Sequence, residues 1–370
     1  MDFLKKLGGN FLQSCVSSLS SLFPQWGEKN YLTLDIGSSS VKMLEIHGKD
    51  RALQILNAGI VPLPANAVQN NIVRDSDGVA FAIRTLVEEH HVKATEVVTA
   101  VPGPAVIIKR AKFPVQDMPE LHDTILFEAG NFIPESLDNV HLDYQIFARD
   151  ADNDSVDVLL VAVRKDVITS FLTPIYDAGL FPVIVDVDYF ALENMFELNH
   201  AEHLGDTVAL INIGDRYSSI SIMKAGRSAF TGDVPFGGRQ VTDMLAEELG
   251  LSESQAETLK ITGRGEGRQH EEGKRVIAVA AEQLCHEIQR TFSFFWTDPD
   301  QISSIYLSGG TAQIPTLAST MSERLQVPVA LADPFRLVTI SNQADYDFIL
   351  QHSSSLAISV GLATRRPGDK

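Results

Sequence analysis

Glycines that stand next to small hydroxyl side chains, a carboxylate and a lysine are the part of this sequence best suited to chemistry. Asp35 lies two residues before Gly37, and the serines at 38–40 and Lys42 follow. A phosphate chain needs converging backbone N–H donors, small side chains that allow close approach, and a cation. An aspartate at a strand end suits a hydrated Mg²⁺, which keeps several waters and takes one or two carboxylates. The segment is therefore a candidate phosphate-binding loop, with Asp35 placed where it would suit a hydrated Mg²⁺.

Three further glycine turns follow along the chain. One continues a strand pattern and carries paired serines, one opens a helical pattern, and one joins a short strand to a helix. Their residues are Asn212, Gly214, Ser218, Ser219, Gly237, Gly238, Gly309, Gly310 and Thr311. A single Gly-Ser turn in a hairpin is most often only a turn. Four such turns in one order favour a nucleotide site built from several loops.

Composition and missing motifs exclude several other functions. The formal net charge of −18 argues against a nucleic-acid binder, because phosphate neutralisation needs clustered Lys and Arg. The sequence contains no G-x-x-x-x-G-K-[ST], H-E-x-x-H, C-x-x-C or G-x-S-x-G pattern. Its two cysteines form no disulfide framework. It has no run of 18 apolar residues, so no membrane-spanning helix is predicted.

The glycine turns are positioned by a pattern that occurs twice. Apolar and polar residues alternate over 31–37 and 41–46, which predicts two short strands joined by a polar turn. The same arrangement returns at 207–214 and 218–223. Repetition of a strand–turn–strand unit indicates a duplicated domain. Helical patterns lie between the strands, and the predicted fold class is α/β.

Composition shifts divide the chain into segments. Residues 110–181 read as a helix, a hairpin and a second helix, which predicts a compact α+β insertion. Residues 1–28 carry apolar side chains at helical spacing, interrupted by glycine and serine, and fit either an amphipathic segment on a membrane surface or a disordered tail. The predicted units are 1–28, the tail; 29–109, a first half; 110–181, the insertion; 182–204, the first half continued; 205–340, a second half whose outer helical part is 236–300; and 341–370, a return to the first half.

The order of these turns resembles that of the actin-like ATPases, and within them the PilM family of type IV pilus assembly proteins, which is related to FtsA. The resemblance is carried by LDIGSSSVK at 34–42, VPFGG at 234–238, LSGGTA at 307–312 and ADPF at 332–335. It extends over about residues 30–365. It implies an actin-like ATPase fold, with two ribonuclease-H-like halves around a nucleotide cleft and an FtsA-type inserted α+β subdomain.

The resemblance also implies ATP and Mg²⁺ as cofactors and assigns residues to them. Asp35 would hold Mg²⁺ through water, and Asn212 would stand where hydrolysing members have an acidic residue. The first phosphate loop would be Gly37, Ser38, Ser39 and Ser40 with Lys42 beside it, and the second Gly214, Ser218 and Ser219; Gly237 and Gly238 would approach the nucleotide at a helix N-terminus, Glu257 and Lys260 would contact the adenosine, and Gly309, Gly310, Thr311 and Ile314 would line the adenine pocket. The alternative for Glu257 and Lys260 is an ordinary i, i+3 pair on a solvated helix.

Two departures from the hydrolysing members concern catalysis. Asn212 cannot supply the negative charge that organises Mg²⁺ and the attacking water. The helix over 188–197, which faces the phosphates in relatives, contains no glutamine, and whether Glu193 points inward is open at this stage. Positioning of the water is much of catalysis in phosphoryl transfer. We expect ATP to be bound and hydrolysed slowly or not at all, which leaves enzymatic activity uncertain.

The partner implied by the resemblance is the N-terminal cytoplasmic peptide of a PilN-like inner-membrane protein, bound by the insertion and its neighbour. The protein would then be a cytoplasmic ATP-binding scaffold at the inner face of the inner membrane, serving the pili of twitching motility. Other pilus assembly components are further candidate partners, residues 1–28 could add peripheral membrane contact, and no nucleic acid is expected. Two alternatives stay open, an FtsA-like cell-division scaffold and a small-molecule kinase of the same superfamily.

Overall fold

The computed structural model describes residues 29–48, 52–115, 118–150, 155–265, 267–295 and 302–369, so the predicted tail at 1–28 lies outside the described residues. The strands are β1 (Tyr31–Ile36), β2 (Ser40–His47), β3 (Gln54–Pro62), β4 (Val68–Gln69), β5 (Ile72–Val73), β6 (Glu96–Val101), β7 (Val106–Pro114), β8 (Val140–Asp150), β9 (Ser155–Arg164), β10 (Phe181–Val187), β11 (Thr207–Ile213), β12 (Ser218–Lys224), β13 (Arg227–Val234), β14 (Ser304–Ser308), β15 (Val329–Leu331) and β16 (Thr339–Ile340).

The α-helices alternate with these strands. They are α1 (Ser76–Glu89), α2 (Met118–Glu128), α3 (Lys165–Asp177), α4 (Asp188–Asn199), α5 (Gly238–Leu249), α6 (Glu253–Thr262), α7 (Arg268–Phe295), α8 (Leu317–Leu325), α9 (Tyr346–Gln351) and α10 (Ala357–Ala363). Within the described ranges no helix is long and apolar enough to cross a membrane.

Two sheets share one topology. The first has the order β10-β6-β1-β2-β3-β16 and the second the order β13-β12-β11-β14-β15. In each, three consecutive strands form an antiparallel meander, and two more strands add in parallel beside its first strand. The strand–turn–strand units seen in the sequence are β1–β2 and β11–β12, at the same place in each sheet. The fold is therefore a duplicated α/β unit, with β16 as an added edge strand in the first half.

The insertion is a three-stranded antiparallel sheet, ordered β7-β9-β8, with α2 packed on it. Its own core contains Phe113, Leu121 and Ile125. The structure shifts its limits from the predicted 110–181 to about 106–164. Helix α3 belongs to the first half, because its apolar face joins the core that β1 and α1 build. Strand β10, at 181–187, then extends the first sheet.

The C-terminal segment packs on the first half. Helix α10 lies against α4, β1 and β2, and its residues are buried. A Cβ placed on Gly361 would lie 1.6 Å from the carbonyl oxygen of Ala191, so the two helices cross with their backbones in direct contact. Helix α4 is thereby fixed along one side, with its N-terminal end free to face the second half.

Candidate functional site

The first glycine turn joins β1 to β2 and presents backbone donors. The amide of Gly37 donates to the carbonyl oxygen of Ser40 at 3.0 Å and closes the turn. Within the described part of the chain, the amides of Ser38 and Ser39 donate to no other group. Asp35 and Lys42 are register partners across the hairpin, and Lys42 Nζ lies 3.1 Å from Asp35 Oδ2. The turn thus combines two unused N–H donors with a partly buried ion pair at its base.

The second turn joins β11 to β12 and holds the other glycine segments against it. The carbonyl oxygen of Gly214 accepts from the Gly238 amide at 2.8 Å and from Thr311 Oγ1 at 2.9 Å. A Cβ on Gly237 would lie 2.5 Å from the carbonyl oxygen of Asp215, so only glycine allows this approach. The start of α5 and the turn after β14 therefore both contact the second turn. The side chains around this point are small.

A buried lysine lies beside the contact between α5 and the second turn. Lys260 is 5% exposed, and its ammonium donates to Glu257 at 2.7 Å, to Thr242 Oγ1 at 3.0 Å and to the carbonyl oxygen of Gly238 at 3.2 Å. Burial of the ammonium and its bond to the Gly238 backbone distinguish this pair from an ordinary i, i+3 pair on a solvated helix. The lysine instead joins α6 to the N-terminus of α5.

The two halves face each other across these turns. Arg216, in the second turn, donates to Asn66 Oδ1 at 2.7 Å, and Asn66 lies in the loop that follows β3 of the first half. The loop continues to the first turn, since the amide of Leu63 donates to the carbonyl oxygen of Ser39 at 2.8 Å. The glycine turns of both halves therefore border one cleft.

The N-terminal end of α4 forms the floor of the cleft. Asp188 accepts from the Gly103 amide at 2.7 Å and from the Tyr217 hydroxyl at 3.3 Å. The Tyr189 hydroxyl donates to Asp233 Oδ2 at 2.5 Å. Because Tyr217 and Asp233 belong to the second half, both side-chain contacts connect the halves.

Burial raises the pKa values of the acidic groups on this floor. The pKa of Asp188 is raised to about 8, mainly by desolvation and then by the nearby Asp233 carboxylate. The pKa of Asp233 is raised to about 6, again by desolvation. The pKa of Tyr217 lies well above its ordinary value because of burial. At neutral pH Asp188 is largely protonated, so it is poorly prepared to accept a proton from water.

Some predicted site residues lie away from the cleft surface. Ser218 and Ser219 are buried, and the Ser218 hydroxyl donates to the carbonyl oxygen of Phe236 at 2.7 Å. Ile314 lies in the hydrophobic core of the second half. Glu193 is buried, but its carboxylate accepts from Ser221 on the far side of α4 from Asp188. Ser218 holds the second turn against the segment that precedes α5.

Two residues of the cleft were not singled out from the sequence. Asp215 directly follows Gly214 in the second turn, and the guanidinium Nε of Arg239 lies 3.8 Å from its carboxylate. Its signal was an acidic residue directly after a glycine turn, whereas the position that corresponds to Asp35 in the second half is Asn212. Asp188 stands at the first position of a helix, directly after a strand, which is a recognisable place in the sequence. Its burial depends on Tyr217 and Gly103, so no local pattern shows it.

The described residues fit a nucleotide carrying Mg²⁺. Unused amides at Ser38 and Ser39, glycine approaches around Gly214, and a cation at Lys42 match the needs of a phosphate chain. Across the described ranges, no cluster of three or more His, Cys, Asp or Glu residues could hold a metal on its own.

A second site lies on the other side of α4. A cavity of about 600 Å³ is bordered by β8 and β9 of the insertion, by β10 and α4 of the first half, by the β12–β13 hairpin, and by the C-terminal segment. In the described part of the chain β8 pairs only with β9, and β10 pairs only with β6. Two sheet edges with unpaired backbone groups therefore border one cavity. Such edges can add an extended peptide as a further strand.

Comparison with known proteins gives one family and one fold. Residues 33–367 match the family described as type IV pilus assembly protein PilM. The structure is similar to that of a PilM-PilN type IV pilus biogenesis complex, with a TM-score of 0.79 and 23% identity over 91% of this chain and 99% of that chain. It is also similar to the ethanolamine utilization protein EutJ from Carboxydothermus hydrogenoformans, with a TM-score of 0.57 and 15% identity over 95% and 97% of the two chains.

A more distant likeness is to MreB 5 of Spiroplasma citri bound to AMPPNP, with a TM-score of 0.50 and 10% identity over 91% of this chain and 95% of that chain. Together these likenesses confirm the actin-like fold that the order of glycine turns implied.

Proposed function

We propose that this chain, which belongs to the PilM family of type IV pilus assembly proteins, is an ATP-binding scaffold that captures the N-terminal cytoplasmic peptide of a PilN-like inner-membrane protein. The observation that carries the proposal is the cavity between the insertion and the first half, with a sheet edge on each side. The similar solved structure is a PilM-PilN complex. A scaffold of this kind would work at the cytoplasmic face of the inner membrane.

ATP would occupy the cleft between the halves. The amides of Ser38 and Ser39 and the ammonium of Lys42 would bind its phosphates, and the approach of Gly237 would bring the N-terminus of α5 close to them. Lys260 and Glu257 would lie beside the adenosine. MreB 5, which shares the fold, is bound to AMPPNP in its structure, which supports a nucleotide here.

Mg²⁺ would be held by Asp35 through water and by the phosphates of the nucleotide. It would neutralise phosphate charge. Lys42 forms an ion pair with Asp35. It would therefore have to share this carboxylate with Mg²⁺ or turn toward the phosphates. We expect little hydrolysis, because Asn212 carries no charge and because burial keeps Asp188 largely protonated at neutral pH.

The partner peptide would lie extended in the cavity. Backbone hydrogen bonds to an open sheet edge would supply affinity, and pockets for alternate side chains would supply specificity. Phe147, Leu159 and Val161 provide apolar surface inside. Strand β10, an edge strand, keeps Val183 and Val185 exposed at 38% and 37%. Of these two valines, only Val185 borders the cavity.

The alternatives are an FtsA-like division scaffold and a small-molecule kinase. The family match favours pilus assembly over cell division. A kinase needs a carboxylate that accepts a proton from its second substrate, and burial raises the pKa of Asp188 to about 8, which disfavours this residue in that role at neutral pH. Neither alternative gives a role to the cavity behind α4.

Calorimetric titration of the full chain, loaded with Mg-ATP, against the N-terminal peptide of a PilN-like protein from the same genome tests the proposal. We expect binding at micromolar affinity or tighter. Val185→Trp should weaken it strongly by filling the cavity, whereas Val183→Trp, the same change two residues away on the same strand but outside the cavity lining, should not. No peptide binding with ATP still bound would keep the fold and shift the function to one of the alternatives.

A further inference from the structure

A buried carboxylate without a cationic partner borders the cavity behind α4, which is called the peptide cavity below. Glu193 is 8% exposed and lies on the face of α4 that lines the cavity. The hydroxyl of Ser221 donates to it, and Ser228 also bonds to it. No described Lys, Arg or His side chain forms an ion pair with it. Two neutral hydroxyl groups are weak compensation for a carboxylate taken out of water.

A second buried carboxylate stands beside it. Asp186, on β10, is 7% exposed and accepts from the Val187 amide through one oxygen at 2.8 Å. Its other oxygen accepts no hydrogen bond among the described residues, although Arg365 Nε lies 3.1 Å away. The guanidinium of Arg365 is thus already paired with Asp186, and its Nε has no hydrogen-bond partner among the described residues.

The remaining charges around the cavity are also more acidic than basic. The carboxylates are those of Asp143 on β8, Glu197 on α4 and Asp369 in the C-terminal segment, and the basic groups are His141 on β8 and Arg227 on β13. The pKa of Glu193 is raised to about 7, mainly by burial and in smaller part by the carboxylates of Asp186 and Glu197, although the hydrogen bonds from Ser221 and Ser228 lower it. Glu193 is thus partly protonated at neutral pH because it has no positive partner. A cation that entered the cavity would favour its charged form.

We propose that the cavity selects its peptide by a Lys or Arg side chain, which inserts between β8 and β10 and pairs with Glu193. This inference rests on the proposed function and specifies which kind of side chain the cavity recognises in its partner. An apolar side chain at the same place would remove water from Glu193 without offering a charge. A basic side chain replaces that water with an ion pair and leaves the two serine hydroxyls in place as further donors.

The test compares two protein variants against a set of peptides by calorimetry. The peptides are the N-terminal segment of the PilN-like protein and versions in which each Lys or Arg is replaced in turn by Gln. With the wild-type chain, one replacement should weaken binding at least tenfold, as expected for a close, desolvated charge pair. With Glu193→Gln, the unmodified peptide should bind at least tenfold more weakly, and that same replacement should have almost no further effect.

Glu197→Gln is the matched control, because it removes an equal charge one helical turn away on an exposed residue of the same cavity. It should change affinity less than about threefold. The inference is overturned if the unmodified peptide binds Glu193→Gln as tightly as wild type, if every basic replacement weakens both proteins equally, or if a peptide without Lys or Arg binds best. Failure of the wild-type chain to bind any of the peptides would instead overturn the proposed function, and the inference with it.

Discussion

The hydroxyl of Tyr189 on α4 donates to the carboxylate of Asp233 on β13 at 2.5 Å, and this bond joins the two halves at the floor of the cleft. The other oxygen of Asp233 has no hydrogen-bond partner among the described residues. Tyr189 is therefore the main polar support of a largely buried carboxylate. One helix carries both this contact and, one turn later, the wall of the peptide cavity.

Tyr189→Phe should destabilise the protein by about 1–2 kcal/mol, because it leaves Asp233 without its donor while keeping the ring in place. Tyr176→Phe is the control, since Tyr176 is 55% exposed and should tolerate loss of its hydroxyl. Urea unfolding of both variants measures the difference. Equal stabilities would mean that the bond across the cleft adds nothing to the folded state.

The free energy of unfolding should depend on pH through Asp188. Its pKa in the folded state, about 8, is above the ordinary value of 3.8, so the folded state binds more protons than the unfolded state between these values. The contribution of this group to stability should therefore be fully present below about pH 4 and fall as pH rises toward 8, by up to about 1.4 kcal/mol per pH unit. The pKa values of Asp233 and Glu193, about 6 and about 7, act in the same direction.

Asp188→Asn should flatten that dependence between pH 6 and 8, when unfolding by urea is compared without nucleotide. Asn keeps the shape and removes the charge. A slope identical to that of wild type would show that Asp188 is ionised in the folded protein, which would also remove one reason for slow hydrolysis.

Gly361→Ala should destabilise the protein by about 3 kcal/mol or more, since its methyl group would lie 1.6 Å from the carbonyl oxygen of Ala191 and push α10 off α4. Gly205→Ala is a suitable control, because no atom lies within 4 Å of the added methyl group. Thermal unfolding of the two variants distinguishes them. Similar melting temperatures would mean that α10 and α4 can separate without cost.

ATP turnover should stay well below about 1 per second at saturating Mg-ATP, the low end of ordinary enzymes. Asn212→Asp should raise it about tenfold or more by adding negative charge where, in the proposed function, Mg²⁺ and water would be organised. Release of inorganic phosphate measures both rates. A wild-type rate of several per second would show that the buried Asp188 does not limit the chemistry.

Peptide affinity should rise with pH between 6 and 8, because deprotonated Glu193 binds a cation better than the protonated acid does. Its pKa of about 7 in the free protein places the change in this window. In Glu193→Gln the same pH range should leave affinity nearly constant, which assigns the effect to Glu193. Equal pH dependence in both proteins would assign the effect to another group.

The duplicated sheet and its glycine turns could be predicted from the sequence because turn chemistry is local. Gly37, Gly214 and Gly309 mark the ends of strands whatever the rest of the chain does. The limit of the insertion could not be predicted in the same way. The apolar face of α3 shows that the helix is packed, but not whether its partner is the insertion or α1.

The electrostatics of the cleft and the cavity depend on contacts between distant segments. Asp188 is buried because Gly103 and Tyr217 reach it, at sequence separations of 85 and 29 residues. The sequence left the direction of Glu193 open, and the structure turns it away from the cleft, toward β12. Glu193 is therefore a candidate for partner recognition and not for water activation.

Hydrogen–deuterium exchange of the full chain with and without the PilN-like peptide tests the central claim most directly, because it reports where the peptide binds. The account predicts slower exchange along β8 and β10, whose open edges border the cavity, and along the lining face of α4. Peptide binding that protects other elements and leaves β8 and β10 unchanged would contradict it.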